Sequence, residues 1–241
     1  MGIIKTKYEI KLLKKSAQIS NSCLKLIEDS LKENITEKEL RRRVGRKIKS
    51  QNASLAFQTL VACSRRSAMI HPKPFATDKV IKGIGYIDFG ACYKGYRTDV
   101  TVPFVKGKIS KKEMKIIKIT LKAYNLAISS IKLGQPCWKL FQTVNKYLKK
   151  NGFEMKHGLG HGIGLKIHEY PSITMPKKKL RGKKKLRWEK IKKMSFKKDM
   201  VFTIEPGIYV KGLAGCRIEN DVILTDKGSK IITHSKLIEI R

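Results

Sequence analysis

The chain has 241 residues, with 54 Lys and Arg against 19 Asp and Glu, giving a formal net charge of +35. That length can bury a sizeable core, and 41% hydrophobic content excludes a disordered tail. No apolar run reaches the roughly 18 residues that a membrane-spanning helix needs, and the N-terminus lacks the apolar stretch of a signal peptide. Cys23, Cys63, Cys92, Cys137 and Cys216 are odd in number and never form a C-x-x-C pair. Neither a disulfide framework nor a thiolate zinc site is therefore expected, and a reducing, cytoplasmic location follows. The charge excess would attract nucleic acid, anionic membrane or acidic protein surfaces, although most of it is lysine scattered over helix faces.

In chain order, Thr6 and Glu9 form a capping box that opens a long helix. Ile10, Leu13, Ala17, Ser20, Leu24, Ile27 and Leu31 line its inner face, with only Ser20 polar. Thr36 and Glu39 make a second capping box, and the helix that follows turns Leu40, Val44 and Ile48 inward. Residues 54–62 read as strand, and the loop after them ends in IHPKPF, whose two prolines stiffen the backbone beside His71. YIDFGACYKGYRTDVTVPFV reads as two strands joined at a Lys94-Gly95 turn. Ser110 and Glu113 cap a third helix that Gly134 and Pro136 end, and residues 137–150 form a fourth.

The stretch HGLGHGIGLKIHE, residues 157–169, holds three of the five histidines. Gly158, Gly160, Gly162 and Gly164 fall at every second place, leaving bare backbone where the chain must come very close to a metal or a substrate. After it, residues 176–198 carry thirteen Lys and Arg against one Glu and read as an exposed basic loop. VFTIEPGIYV and CRIENDVIL then make a hairpin, and a last short strand follows.

The acids can be placed by pairing geometry. A two-residue turn at Lys94-Gly95 sets Tyr93 opposite Tyr96, Gly90 opposite Asp99 and Asp88 opposite Thr101. Asp88 and Asp99 then share one face as diagonal neighbours with alpha carbons roughly 7–8 Å apart. Glu205 and Glu219 are fourteen positions apart, so an odd-length loop around Gly212 puts both on one face as well. With His161 the set is one imidazole and four carboxylates, an oxygen-rich environment suited to two divalent ions such as Mn, Co, Zn or Fe.

IDFGACYKGYRTDVT, HGLGHGIGLKIHE, and MVFTIEPGIYV with CRIEND resemble the signature blocks of the dinuclear aminopeptidase family that contains methionine aminopeptidase, aminopeptidase P, prolidase and creatinase. The resemblance implies an α+β pita-bread fold, with helices packed outside a curved, mainly antiparallel sheet of internal pseudo-symmetry; no repeat is detectable in the sequence itself. It implies one catalytic domain over residues 1–241, with a basic surface insertion at about 176–198. Asp88, Asp99, His161, Glu205 and Glu219 match the family's metal ligands, Asp99 and Glu219 being the bridging carboxylates. Glu205 also matches the general base that assists a metal-bridging hydroxide, and manganese is favoured by analogy.

HGIGLKIHEYPSI, EPGIYV and the short run from Glu205 to RIE resemble prolidase and aminopeptidase P. His71 and His168 match two histidines that steady the scissile carbonyl of a peptide substrate as it becomes an oxyanion. His157 and Arg217 resemble accessory positions of the proline-specific enzymes, and Arg217 could orient Glu219 or the neighbouring acids. His234 has no match. Val102 stands where relatives commonly have an arginine, and the separate N-terminal domain usual in proline-specific relatives is expected to be absent. The implied function is metal-dependent hydrolysis of the N-terminal peptide bond of peptides, chiefly Xaa-Pro bonds. One rival is a methionine aminopeptidase. Another is a non-catalytic protein that binds RNA or ribosomes through its basic surface, with Trp188 and Phe196 stacking on bases.

Overall fold

The computed structural model describes residues 2–175 and 181–240. Residues 176–180, at the start of the expected basic insertion, lie outside them. In order the chain forms α1 (Lys7–Lys32), α2 (Glu37–Lys49), β1 (Ser54–Leu55), β2 (Leu60–Cys63), β3 (Gly83–Phe89), β4 (Ala91–Tyr93), β5 (Tyr96–Arg97) and β6 (Val100–Lys106). The second half follows with α3 (Lys111–Ser130), α4 (Cys137–Lys150), β7 (Gly160–Gly162), β8 (Glu169–Ile173) and α5 (Gly182–Lys192). It closes with β9 (Val201–Ile204), β10 (Gly207–Val210), β11 (Ala214–Arg217), β12 (Asn220–Thr225), β13 (Gly228–Ile231) and β14 (Ile238–Ile240).

The helix starts follow their side chains. At α1 the Thr6 hydroxyl accepts the Glu9 N–H at 3.2 Å and the Glu9 carboxylate accepts the Thr6 N–H at 2.8 Å; Ser110 and Glu113 repeat this box at α3. At α2 the Thr36 hydroxyl accepts the Glu39 N–H, but the Glu39 carboxylate turns outward to Arg42, Arg43 and Arg46. Only half of the expected second box forms, because three arginines on the same face compete for its acid. Ser20, the polar member of the inner face of α1, is fully buried; its hydroxyl shares a hydrogen bond with that of Thr98 at 2.8 Å and accepts the Ala91 N–H. That satisfies its desolvated oxygen and ties α1 to the first hairpin.

Two long hairpins frame the centre. In the first, Asp88 pairs with Thr101 and Tyr93 with Tyr96, one register running from β3–β6 into β4–β5 as the two-residue turn requires. Lys94 and Gly95 take φ of 49° and 86°, the two positive values of a type I′ turn. In the second, β9 pairs with β12 and β10 with β11 in a single register, from Val201 opposite Ile223 to Val210 opposite Ala214. Glu205 and Glu219 occupy the gap between those two ladders, opposite one another. The hairpins meet where the Glu219 N–H bonds the Thr101 carbonyl at 3.1 Å.

Strands β14-β6-β3-β2 form one sheet and β13-β12-β9-β7-β8 another, and among the described pairs only β14–β6 is parallel. Helices α1 and α2 share a core with the first sheet through Ile27, Leu40, Val61 and Ile87. Helices α3 and α4 share another with the second through Ala123, Leu140, Phe202 and Val222. Two helices followed by strands therefore occur twice, and the acids lie where the two halves join. Val102 is fully buried in the first core, so an apolar side chain suits that position here.

The basic stretch departs from its expectation as an exposed loop. Its described part contains α5, an exposed helix anchored by buried Ile191, and Phe196 is fully buried with its ring 5.0 Å from that of Phe202. Phe196 is a core residue and unavailable to stack on bases.

Candidate active site

The acids of both hairpins, the histidine stretch and the loop before β3 face one cavity of about 600 Å³. Asp88, Asp99, His161, Glu205, Glu219, His71, His157, His168 and Arg217 all line it. His234 is exposed elsewhere. Strand pairing brings Asp88 and Asp99 to the cavity from the first hairpin, and Glu205 and Glu219 from the gap in the second.

Of the alternate glycines, Gly158 and Gly160 line the cavity, and Gly160, Gly162 and Gly164 also make room for neighbouring protein groups. A Cβ at Gly160 would lie 1.9 Å from the Thr203 carbonyl oxygen, and one at Gly162 would lie 2.1 Å from that of Tyr170. At Gly164 it would lie 2.8 Å from both the Glu169 carboxylate and Lys5 Nζ. These glycines admit neighbouring strands and one ion pair, and that close packing fixes where His161 projects. Gly90 likewise admits the Thr98 carbonyl.

His161 Nδ1 lies 3.1 Å from the Gly162 carbonyl oxygen, so the tautomer that donates there leaves the Nε2 lone pair facing the acids. Nε2 is 3.7 Å from Asp99 and 3.8 Å from Glu205. Burial, reinforced by His168, lowers the His161 pKa to about 4, so its imidazole is neutral near pH 7. Its ring stands 4.2 Å from that of His168. Asp99, His161 and Glu219 each offer a ligand atom within 4.8 Å of the others.

Arg217, 2% exposed, organises the acids from behind. It donates from Nη2 to Asp88 at 2.5 Å, from Nε to the Thr101 hydroxyl at 3.0 Å and from Nη1 to the Tyr209 hydroxyl at 2.8 Å. Thr101 passes the contact on by donating to Glu219 at 2.8 Å. The Tyr209 hydroxyl is also 3.0 Å from His157 Nε2, and His157 Nδ1 is 3.5 Å from Glu205. On the other side of the cavity the Tyr86 hydroxyl donates to the Met69 carbonyl and Arg217 to that of Ile70, which fixes the backbone entering His71.

Sequence reasoning missed Thr101 as a relay, Tyr209 as the link between Arg217 and His157, and Asp221. The Asp221 carboxylate is fully buried, and the Asp99 N–H approaches its oxygens at 3.3 and 3.4 Å. One signal was legible: Asp221 stands two places after Glu219 and so shares its face of the hairpin.

This donor set fits divalent metal. Asp88 Oδ1 and Glu219 Oε1 are buried without a hydrogen-bond partner among the described residues, a costly state for a carboxylate oxygen that a cation relieves. Burial and then Asp88 push Glu219 up to about 7; burial and then Glu219 hold Asp99 and Glu205 well above the usual carboxylate range. Above about pH 7 an unfolded histidine, with its ordinary pKa of 6.5, is mostly neutral, and so are His71, His161 and His168 in the folded chain, whose pKa values burial lowers. There the folded metal-free protein holds more protons than the unfolded one, because its acids have raised pKa values, so its stability falls as pH rises. The expected outcome is a falling denaturation temperature from about pH 7 to 8 in chelator, abolished by a saturating divalent ion; a flat profile in chelator would contradict the clustered acids.

Residues 11–226 match the model of metallopeptidase family M24. The Xaa-Pro dipeptidase of Pyrococcus furiosus is 34% identical over 98% of this chain and 64% of its own length. An uncharacterized peptidase of Staphylococcus aureus is 32% identical over 96% of this chain and 62% of its own length. Among solved structures, the Xaa-Pro dipeptidase from Bacillus anthracis superposes with a TM-score of 0.87 at 33% identity, covering 99% of this chain and 64% of that one. The X-Pro aminopeptidase from Thermotoga maritima gives 0.85 at 31% identity, covering 99% of this chain and 65% of that one. The chain thus spans less than two thirds of the length of these relatives. The paired halves and mainly antiparallel sheets are the α+β pita-bread architecture that the resemblance implied. On the family model and these superpositions, the chain belongs to metallopeptidase family M24, whose name carries the metal that the clustered acids suit.

Proposed function

We propose that residues 1–241 form one catalytic domain, acting in the cytoplasm as a two-metal exopeptidase that releases the N-terminal residue of peptides whose second residue is proline. The observation that carries this reading is the meeting of Asp88, Asp99, His161, Glu205 and Glu219 with His71 and His168 around a single cavity. The five free cysteines suit a reducing compartment. Two divalent ions, manganese by analogy, would be held by Asp88, Asp99, His161, Glu205 and Glu219. Such ions supply Lewis-acid polarisation of the scissile carbonyl and lower the pKa of water.

The protein's own groups do the rest. Glu205 accepts a proton from the attacking water and returns it to the leaving nitrogen. A proline nitrogen carries no N–H and departs as an amine only when protonated, so that return is decisive for an Xaa-Pro bond. His157, 3.5 Å from Glu205 and bonded to Tyr209, holds this carboxylate against the proline ring. His71 and His168, both lining the cavity, donate hydrogen bonds to the carbonyl oxygen as it gains charge. Arg217 and Thr101 keep Asp88 and Glu219 aimed inward.

Peptides beginning Ala-Pro or Met-Pro are expected to be cleaved faster by the metal-loaded protein than Met-Ala or Met-Gly peptides. Glu205→Gln should cost about 10²–10⁴-fold in kcat, and His157→Ala should weaken proline substrates selectively. Cleavage of Met-Gly-Met with no cleavage of any proline peptide would favour the methionine aminopeptidase reading.

A second role, salt-dependent contact with RNA or ribosomes, is supported by α5, where Lys183, Lys184 and Lys185 are exposed and Trp188 is partly so. Reversing the three lysines to Glu should lower affinity for an RNA oligonucleotide and flatten its dependence on salt. Unchanged affinity and slope would exclude this face.

A further inference from the structure

Beyond the catalytic set, one buried ion pair has no part in the chemistry above. Lys5 Nζ donates to Glu169 at 2.6 Å, with side chains 2% and 10% exposed. An ion pair this deep is a costly way to gain stability, and losing one partner leaves an uncompensated buried charge. Its position suggests another use. Glu169 directly follows His168 in the chain and its carboxylate reaches the cavity wall.

The same carboxylate spans the loop between the two histidines. Glu169 Oε1 accepts the Lys166 N–H at 3.0 Å while Oε2 is held by Lys5, so one side chain grips the loop in the middle and fixes its end. The opposite edge is pinned by Arg97, whose N–H and Nε donate to the carbonyls of Gly164 and Leu165 at 2.9 and 3.0 Å. Lys5 is itself fixed: its N–H bonds the Asp199 carbonyl at 2.9 Å, Ile4 bridges Met200, and Thr6 begins the capping box of α1. Gly164 is the residue whose missing side chain makes room for the pair, since a Cβ there would meet both charged groups at 2.8 Å.

We propose that Lys5 is a positioning residue: by clamping Glu169 it sets the distance between His161 and His168, and so aims His168 at the developing oxyanion. This inference rests on the exopeptidase reading above for its catalytic consequence and on the loop geometry alone for its structural one. The two rings stand 4.2 Å apart, and a shift of about an ångström in the placement of His168 is enough to cost a transition-state hydrogen bond. An oxyanion contact made in the transition state is lost from kcat and not from KM.

The test compares the 241-residue chain with its Lys5→Met and Gly164→Ala variants. Lys5→Met keeps length and apolar bulk without the charge, and Gly164→Ala displaces the pair while retaining both partners. Amide hydrogen exchange is followed over residues 163–169 and over the 201–225 hairpin, and kcat and KM for a proline peptide are measured per metal-loaded site. The expected result is exchange faster on the order of ten-fold or more in 163–169 and unchanged in 201–225. Turnover per loaded site should fall about ten-fold or more, with KM altered less than about three-fold. A purely structural pair would lower the loaded, folded fraction and leave turnover per loaded site intact. Unchanged exchange in both variants, or faster exchange with unaltered turnover, overturns the proposal. If the unmodified protein cleaves no peptide, the exopeptidase reading fails by itself, and the exchange comparison still decides whether Lys5 holds the loop.

Discussion

The rest of the structure depends on keeping several carboxylates in one poorly solvated place. Asp88, Asp99, Glu219 and Asp221 are buried, Glu205 is nearly so, and Arg217 is the cation among them. Fully ionised, five carboxylates against one guanidinium leave four negative charges, which two divalent cations neutralise. Without cations, burial and mutual repulsion push Asp99, Glu205, Glu219 and Asp221 toward their protonated forms, and the protein is then in a state it tolerates only at a cost. Burial is what makes the site strong for metal, because the acids have little water to lose when an ion enters.

That arrangement requires backbones to come closer than side chains allow, and the two hairpins provide it. Each hairpin keeps a single register but is interrupted where its acids sit, near Gly90 in the first and at Glu205 and Glu219 in the second. The acids flanking each interruption line the cavity, and the ladders on both sides hold them in place. Glycines at 90, 160 and 162 admit carbonyl oxygens of neighbouring strands, so any larger residue there would push those strands apart within their own half. The Glu219–Thr101 bridge then closes the join. Arg217, whose guanidinium also lies 4.5 Å from the centre of the Tyr86 ring, reaches from the second hairpin to Asp88 of the first and keeps the halves in register.

Much of this was legible in the sequence. The pairing of Asp88 with Thr101 and of Tyr93 with Tyr96 follows from a two-residue turn, since period-two alternation leaves no freedom once the turn is placed. The opposed Glu205 and Glu219 follow from their even spacing. Helix starts were readable at Thr6 and Ser110 because a hydroxyl and an acid three residues on satisfy each other locally. The second box failed at Glu39 because Arg42, Arg43 and Arg46 compete for the acid, and such competition depends on the folded surface. Of the alternate glycines, Gly158 and Gly160 line the cavity as their place in the sequence suggests, while Gly160, Gly162 and Gly164 also face Thr203, Tyr170 and the Lys5–Glu169 pair; what lies opposite a glycine is a tertiary fact. Phe196 was misplaced for a related reason: amid so many lysines, one aromatic carries no local sign of whether it points to the core. Thr101, Tyr209 and Asp221 have meaning only through partners more than a hundred residues away or across a hairpin.

The central claim is that these acids exist to hold two divalent ions between the hairpins. Metal analysis of the purified protein and of Asp99→Ala, after equilibration with manganese and removal of loose ions, tests it most directly. The account predicts two ions per chain in the unmodified protein and a loss of bound metal in Asp99→Ala, whose carboxylate lies between His161 and Glu219. An Asp99→Ala protein that keeps two tightly bound ions, or an unmodified protein that binds none, would contradict it.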